Sequence, residues 1–93
     1  MIRSFADKET ETIFSLKRSR KLPPDIQQVA LRKLRMLNNA KILDDLRSPP
    51  ANYLEKLKRE RSGQHSIRIN DQWRVCFKWR DGDAFDVEIT DYH

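Results

Sequence analysis

Residues 73–79 read Trp-Arg-Val-Cys-Phe-Lys-Trp, so large apolar side chains alternate with charged or smaller ones. An alternation with period two is typical of a β-strand that buries one of its faces. The neighbouring segments, residues 65–69 and 85–90, continue the alternation and are separated from it by Asn-Asp and Asp-Gly pairs, which favour tight turns. The pattern predicts three consecutive antiparallel strands.

Two helices are predicted on the N-terminal side of these strands. Asp7 can cap a first helix, which we place at about residues 8–18. A second, amphipathic helix is expected over about residues 23–39, from a Pro-Pro pair that suits a helix start to an Asn-Asn pair that can end it. A short further turn follows at residues 42–46, and residues 48–52 are expected to form a loop because they contain two prolines.

Helices followed by an antiparallel sheet define the α+β class. We therefore expect two N-terminal helices packed on one face of a small twisted antiparallel β-sheet, with residues 1–5 as a candidate edge strand. The chain has 93 residues, of which 38% are hydrophobic, and this is enough for one thin core. Residues 1–93 are therefore predicted to form a single domain.

The composition also indicates the compartment. Cys76 is the one cysteine in the sequence, so neither an intramolecular disulfide nor a cysteine-based zinc site is available. No apolar run approaches the roughly 20 residues of a membrane span, and no apolar leader segment is present. We expect a cytoplasmic protein with no membrane partner.

The positive charge is unevenly distributed along the chain. The nine acids and 19 bases of residues 1–80 give +10, whereas residues 81–93 hold five acids and no Lys or Arg. A field of one sign attracts nucleic acid and speeds encounter with it. The cations predicted to contact RNA are Arg68, Arg74 and Lys78 on the open face of the sheet, edged by Lys58, Arg59 and Arg61. The alternative is that these residues only keep a solvated sheet face soluble.

The last three residues of the sequence, Asp91-Tyr92-His93, are candidate catalytic residues. An imidazole exchanges a proton near neutral pH, and a tyrosine can stack on a base or join proton transfer. The alternative is an inert terminus. His65, the second imidazole, is expected to face the core or its rim, and Cys76 is expected to be a small filler and not a nucleophile.

Four segments of the sequence resemble a known family. The chain is similar over nearly its whole length to the HigB toxins of the RelE/ParE superfamily, and within them to the GraT-like subgroup. The matching segments are residues 1–5 (MIRSF), 46–50 (LRSPP), 63–74 (GQHSIRINDQWR) and 88–93 (EITDYH). The sheet segment and the terminal Asp-Tyr-His are the specific part of the match.

The resemblance implies a RelE-like fold and a metal-free, cofactor-independent ribonuclease that cuts messenger RNA in the ribosomal A site. It implies a HigA-like helix-turn-helix antitoxin as partner, and indirect contact with operator DNA through that antitoxin. The residues carried over are Lys58 and Arg74 for the phosphate, His93 for proton transfer, Tyr92 for base orientation, and Asp91 for orienting His93.

One position departs from the family pattern. Some HigB toxins carry a histidine where this sequence has Glu55, and the departure predicts a weak or slow enzyme. The small number of candidate catalytic groups predicts that cleavage depends on the ribosome.

Three alternatives stay open at the level of sequence. A ParE-like relative would share the fold and inhibit DNA gyrase without cutting RNA, although that branch generally lacks the Asp-Tyr-His ending. A plain ribosome- or RNA-binding module would use the basic face and leave His93 idle. A co-repressor would act only when bound to its antitoxin.

Overall fold

The computed structural model describes residues 1–91. Two helices precede a four-stranded sheet in this part of the chain, which confirms the α+β class. The helices are α1 (Lys8–Phe14) and α2 (Pro24–Asn39). The strands are β1 (Glu55–Lys56), β2 (Gln64–Arg68), β3 (Trp73–Arg80) and β4 (Asp83–Asp91). Single 3-10 turns occupy Leu43–Arg47, Pro50–Asn52 and Arg59–Arg61.

The sheet is antiparallel throughout, in the order β1-β2-β3-β4. Ile67, Val75 and Ile89 lie side by side across the three long strands. The three predicted strands are present, and the two-residue β1 was not predicted because so short a segment shows no period. The β2–β3 turn is held by Asn70, whose side-chain oxygen accepts from the backbone N–H of Trp73 at 2.8 Å.

The core lies between the helices and one face of the sheet. Leu34 and Leu37 of α2 and Val75 and Phe77 of β3 are fully buried there. Trp73 and Trp79 are partly buried and pack against this cluster, as the alternation of β3 predicted. Full burial of a side chain such as Leu34 contributes about 1.5–3 kcal/mol. The opposite face of the sheet is therefore the one that carries Arg74.

Helix α1 is shorter than predicted. Asp7 caps it as expected, with Oδ1 accepting from the N–H of Thr10 at 2.9 Å, but the helix ends at Phe14 and not near residue 18. Leu16 has a φ of 67°, and its N–H bonds to the carbonyl of Ile13. The N–H of the next residue bonds to the carbonyl five positions before it, which completes a Schellman motif. No glycine marks this helix end, so no stop signal is visible in the sequence there.

The predictions for the rest of the segment before the sheet are partly confirmed. Helix α2 has the predicted bounds, and a 3-10 turn follows it at Leu43–Arg47. The segment predicted as loop contains a further 3-10 turn, Pro50–Asn52. The candidate edge strand makes only isolated parallel bridges to β4, through Ile2 and Phe5. Within residues 1–91, no helix combines the length and the apolar character needed to cross a membrane.

Candidate active site

Arg74 is the best-connected of the candidate site residues. Its Nε donates to Ser66 Oγ at 3.0 Å, and its Nη1 lies 3.3 Å from Glu55 Oε2. Its Nη2 donates to the carbonyl oxygen of Tyr53. Arg68 is the β2 residue paired with Arg74, and Ser66, which pairs with Cys76, is its diagonal neighbour on the same face. Two segments of chain, β2 and residues 53–55, therefore hold Arg74 in place.

The prediction that Arg74 projects from an open face is wrong. The residue is only 7% exposed, and Ser66 and Cys76 on the same face are fully buried. The reason is that β1 and the segments beside it cover this part of the sheet, as the Glu55 and Tyr53 contacts of Arg74 show. A phosphate that reaches Arg74 must therefore compete with the Glu55 carboxylate, which is about half exposed at 49%.

Two residues beside Arg74 add to the predicted site: Glu55, which the sequence marked only as a departure from the family pattern, and Tyr53, for which no role was predicted. Glu55 supplies the carboxylate that neutralises the guanidinium, and Tyr53 presents a 63% exposed ring. Tyr53 has a φ of 43° in the left-handed region, and the guanidinium of Arg68 lies 5.8 Å from its ring centroid. An exposed aromatic ring beside two arginines is suited to stacking on a base. Periodicity gave no signal for it, because it follows a Pro-Pro loop.

A buried lysine fixes the loop that carries Tyr53. Lys33 of α2 is 5% exposed and its Nζ donates to Asn52 Oδ1 at 2.6 Å. Asn52, fully buried, also donates through Nδ2 to the carbonyl of Leu46 at 3.1 Å. Burial lowers the pKa of Lys33, and the charges of nearby Arg32 and Arg68 lower it further. The position of Tyr53, and so of its bond to Arg74, depends on this contact.

The other predicted RNA-binding cations fall into two groups. Three have an acidic partner: Arg61 with Glu88 at 3.2 Å, Lys78 with Asp86 at 3.3 Å, and Arg68 with Asp71. Lys58 and Arg59 are exposed and, within residues 1–91, have no ion pair. They flank the start of the 3-10 turn at Arg59–Arg61. Among the predicted RNA-binding cations, Lys58 and Arg59 are therefore the two that are exposed and not paired with an acid in residues 1–91.

The C-terminal candidates are only partly described. Asp91 pairs with Trp73 across the β3–β4 ladder, and its Oδ2 accepts from Gln72 Nε2 at 3.0 Å. Thr90, its neighbour, is the residue directly across from Arg74. The end of β4 is thus adjacent to the strand segment that carries Arg74. Tyr92 and His93 lie outside the described residues, so their predicted roles stay predictions.

His65 and Cys76 contribute to packing, as predicted. His65 pairs with Phe77 across the sheet, with its ring centroid 6.0 Å from the Phe77 ring, and burial together with the Lys56 charge lowers its pKa. Cys76 is fully buried, and burial raises the pKa of its thiol. A thiol of that kind is a poor nucleophile. Within residues 1–91, no three His, Cys, Asp or Glu side chains are grouped so as to hold a metal ion.

Comparison with known proteins shows which class of proteins this chain resembles. A family described as the RelE-like toxin of the type II toxin–antitoxin system HigB matches residues 3–93. A chain of the YoeB–YefM complex from Staphylococcus aureus superposes with a TM-score of 0.63, covering 100% of this chain and 95% of that one at 19% identity. The class is that of RelE-like toxins of type II toxin–antitoxin systems.

Similarity to individual proteins identifies the family. Toxin HigB-1 of Vibrio cholerae is 40% identical over 90 residues, which are 96% of this chain and 95% of that protein. Endoribonuclease HigB of Proteus vulgaris is 40% identical over 40 residues, which are 43% of this chain and 44% of that protein. The chain belongs to the HigB-like toxin family. The resemblance found in the sequence is thus confirmed for the family, while the GraT-like subgroup stays a prediction.

Proposed function

We propose that this toxin is an endoribonuclease that cuts messenger RNA on the translating ribosome. The observation that carries the proposal is the membership of the HigB-like family over residues 3–93. The position of Arg74 supports it, because its contacts with Ser66, Glu55 and Tyr53 hold the guanidinium in place. The relative from Proteus vulgaris is named as an endoribonuclease, which supports the same activity here. The cytoplasm is the proposed compartment, because that is where translated messages are found.

The proposed reaction needs no metal. The 2′-hydroxyl next to the scissile bond attacks phosphorus and gives its proton to a base, so that a 2′-oxygen–phosphorus bond forms. The bond from phosphorus to the 5′-oxygen breaks, and the leaving oxygen takes a proton from an acid. The products are a 2′,3′-cyclic phosphate and a 5′-hydroxyl. The protein must therefore supply proton transfer and positive charge for the extra negative charge on phosphate.

Positive charge comes from two kinds of cation in this proposal. Lys58 and Arg59 are exposed and reach the phosphate directly. Arg74 is held rigidly and contributes after the Glu55 carboxylate gives way to phosphate, because the two anions compete for Nη1. A stabiliser of this kind is typically worth about 3 kcal/mol in the transition state. The exposed ring of Tyr53 is a stacking surface for a neighbouring base.

Proton transfer is assigned to His93, with Asp91 orienting it and Tyr92 ordering the base. An imidazole is suited to the role because its pKa lies near neutral pH. One proton-transfer group contributes about 10²- to 10⁴-fold to the rate. So small a set of groups suffices only when the RNA is already aligned for in-line attack, and a ribosome-bound message provides that alignment. The proposal therefore makes cleavage dependent on the ribosome.

The proposed partners follow from the same family. A HigA-like helix-turn-helix antitoxin neutralises the toxin, and the toxin meets operator DNA only through that antitoxin. The similarity to a chain of a toxin–antitoxin complex shows the shared fold, and the antitoxin itself is part of the proposal.

The proposal is tested by mapping message ends by primer extension in cells that express the protein. We expect cuts inside translated frames, lost in His93→Ala and strongly reduced in Lys58→Ala. Lys56→Ala is the matched control, because Lys56 is an exposed lysine two positions before Lys58. Its backbone lies across from His65 in the β1–β2 ladder. Messages in cells that express Lys56→Ala should still be cut. Growth arrest without any cuts, or with DNA breaks that depend on gyrase, would refute the nuclease.

A further inference from the structure

The helix side of the molecule carries cations that have no acidic partner. Lys17, Arg18, Arg32 and Arg35 are exposed, and none of them forms an ion pair within residues 1–91. On the sheet face, by contrast, most of the predicted RNA-binding cations are paired with Asp or Glu. Within the described part of the chain, these four cations are a group of unpaired positive charges that the nuclease proposal does not use.

These cations border an apolar groove. Two adjoining depressions of about 310 and 280 Å³ share Gln28 and Leu31 and together form what we call the helix-side groove. Its first part is lined by Ile13, Leu16 and Leu31 between the two basic pairs. Apolar surface in the middle with charge at the rim is the arrangement found at binding sites for peptides.

Leu16 is the unusual residue of the groove. It is 68% exposed, so it contributes little to the core, and its φ of 67° is unfavourable for a leucine. Glycine or asparagine usually fills this position at the end of a helix. An exposed apolar side chain held in a strained conformation points to a role in contact with a partner.

We propose that the helix-side groove binds an acidic amphipathic peptide segment of a partner protein. Apolar side chains of the segment pack between Leu16 and Leu31, and its carboxylates pair with Lys17, Arg18, Arg32 and Arg35. Nucleic acid is the weaker candidate, because phosphates would use the cations and leave the apolar surface uncovered.

The proposal is independent of RNA cleavage. The groove lies on the helices, which pack on the Val75 and Phe77 face of the sheet, whereas Arg74 occupies the opposite face. A substitution in the groove can therefore be tested for binding without altering the candidate active site.

The probe is a fluorescein-labelled helical peptide of about 16 residues with leucines at i, i+3, i+4 and i+7 and glutamates elsewhere, measured by fluorescence anisotropy. We expect saturable binding that weakens with salt, and a loss of about tenfold or more in both Leu16→Ser and a Lys17→Glu, Arg18→Glu double variant. The matched controls are Ile42→Ser and Lys41→Glu, an equally exposed apolar–cation pair away from the groove. These should bind within about twofold of the parent.

Several outcomes would overturn the proposal. One is no saturable binding by the parent protein, and another is equal loss in the control variants. A third is undiminished binding of a peptide whose leucines are replaced by serine, because the surface would then respond to charge alone. A short RNA duplex that displaces the peptide and binds the parent and Leu16→Ser equally would identify a nucleic-acid surface instead.

Discussion

Arg74 has both a structural and a proposed chemical role. Its guanidinium joins β2, β3 and the segment from Tyr53 to Glu55, and it is almost completely buried. Lys58, which is proposed for the same chemical role, is exposed and has no ion pair among the described residues. The two substitutions should therefore be distinguishable by stability even where both reduce cleavage.

We predict that Arg74→Ala lowers the free energy of unfolding by about 2–4 kcal/mol, because it leaves Ser66 and the Tyr53 carbonyl without their donor. Lys58→Ala should change it by less than about 0.5 kcal/mol, since the side chain is exposed. Urea unfolding followed by tryptophan fluorescence measures both. Equal stability of the two variants would mean that the Arg74 contacts contribute nothing to folding.

In the proposed function, the Glu55 carboxylate competes with RNA phosphate for Arg74. Glu55→Gln keeps a hydrogen-bond acceptor at the same place and removes the competing negative charge. We expect tighter binding of a short RNA and an increase of up to about one in the slope of log affinity against log salt. Anisotropy titrations at several salt concentrations test this, with Glu60→Gln as the exposed control. An unchanged slope would show that Arg74 does not contact phosphate.

At the scale of single elements, the end of α1 is a feature that could not be predicted from the sequence. The Asp7 cap and the apolar face of α2 follow known local rules, and both elements were predicted from them. The left-handed Leu16 follows no such rule, because leucine rarely occupies that conformation. Tyr53 was missed as a site residue for a similar reason, since its position depends on contacts from α2 and β3.

Leu16→Gly should stabilise the fold, because glycine adopts a φ of 67° without steric cost and the lost side chain is mostly exposed. We expect a gain of about 1 kcal/mol in the free energy of unfolding. Ser15→Gly is the control, since Ser15 has a φ of −82° that suits any residue, and it should produce no gain. A loss of stability in Leu16→Gly would show that the leucine packs more strongly than its exposure indicates.

The buried contact between α2 and the Tyr53 loop predicts a dependence on pH. The pKa of Lys33 lies below its ordinary value of 10.5 in the folded chain, mainly because of burial. Between the lowered pKa and 10.5, the unfolded chain holds more protons, so stability rises with pH. Below both values this contribution is constant.

Lys33→Gln tests this dependence, since glutamine keeps a donor for Asn52 and does not titrate. We expect the parent to gain stability relative to Lys33→Gln as the pH rises from neutral toward 10.5, measured by urea unfolding. A difference that stays constant, or that falls with pH, would contradict the burial of a charged lysine.

At the scale of the whole molecule, the sequence predicted the layers correctly and the accessibility of the site incorrectly. Period-two alternation in β3 located the core face through Val75 and Phe77. It could not show that β1 and Tyr53 cover Arg74, because that cover comes from residues far away in sequence. Nor does alternation reveal which cations are neutralised, since Lys78 and its partner Asp86 lie on different strands.

The two proposed functions of the toxin lie on opposite sides of the molecule. The sheet face carries the candidate nuclease site, and the helix side carries the groove proposed to receive a partner segment. Loss of peptide binding in a groove variant with normal cleavage would be consistent with this division.

The most direct test of the nuclease is a reconstituted one. Purified protein is added to ribosomes translating a defined message and, separately, to the same message without ribosomes. We expect fragments ending in a 2′,3′-cyclic phosphate only with ribosomes, and none with His93→Ala. An intact message on inhibited ribosomes, or equal cutting by the parent and His93→Ala, would contradict it.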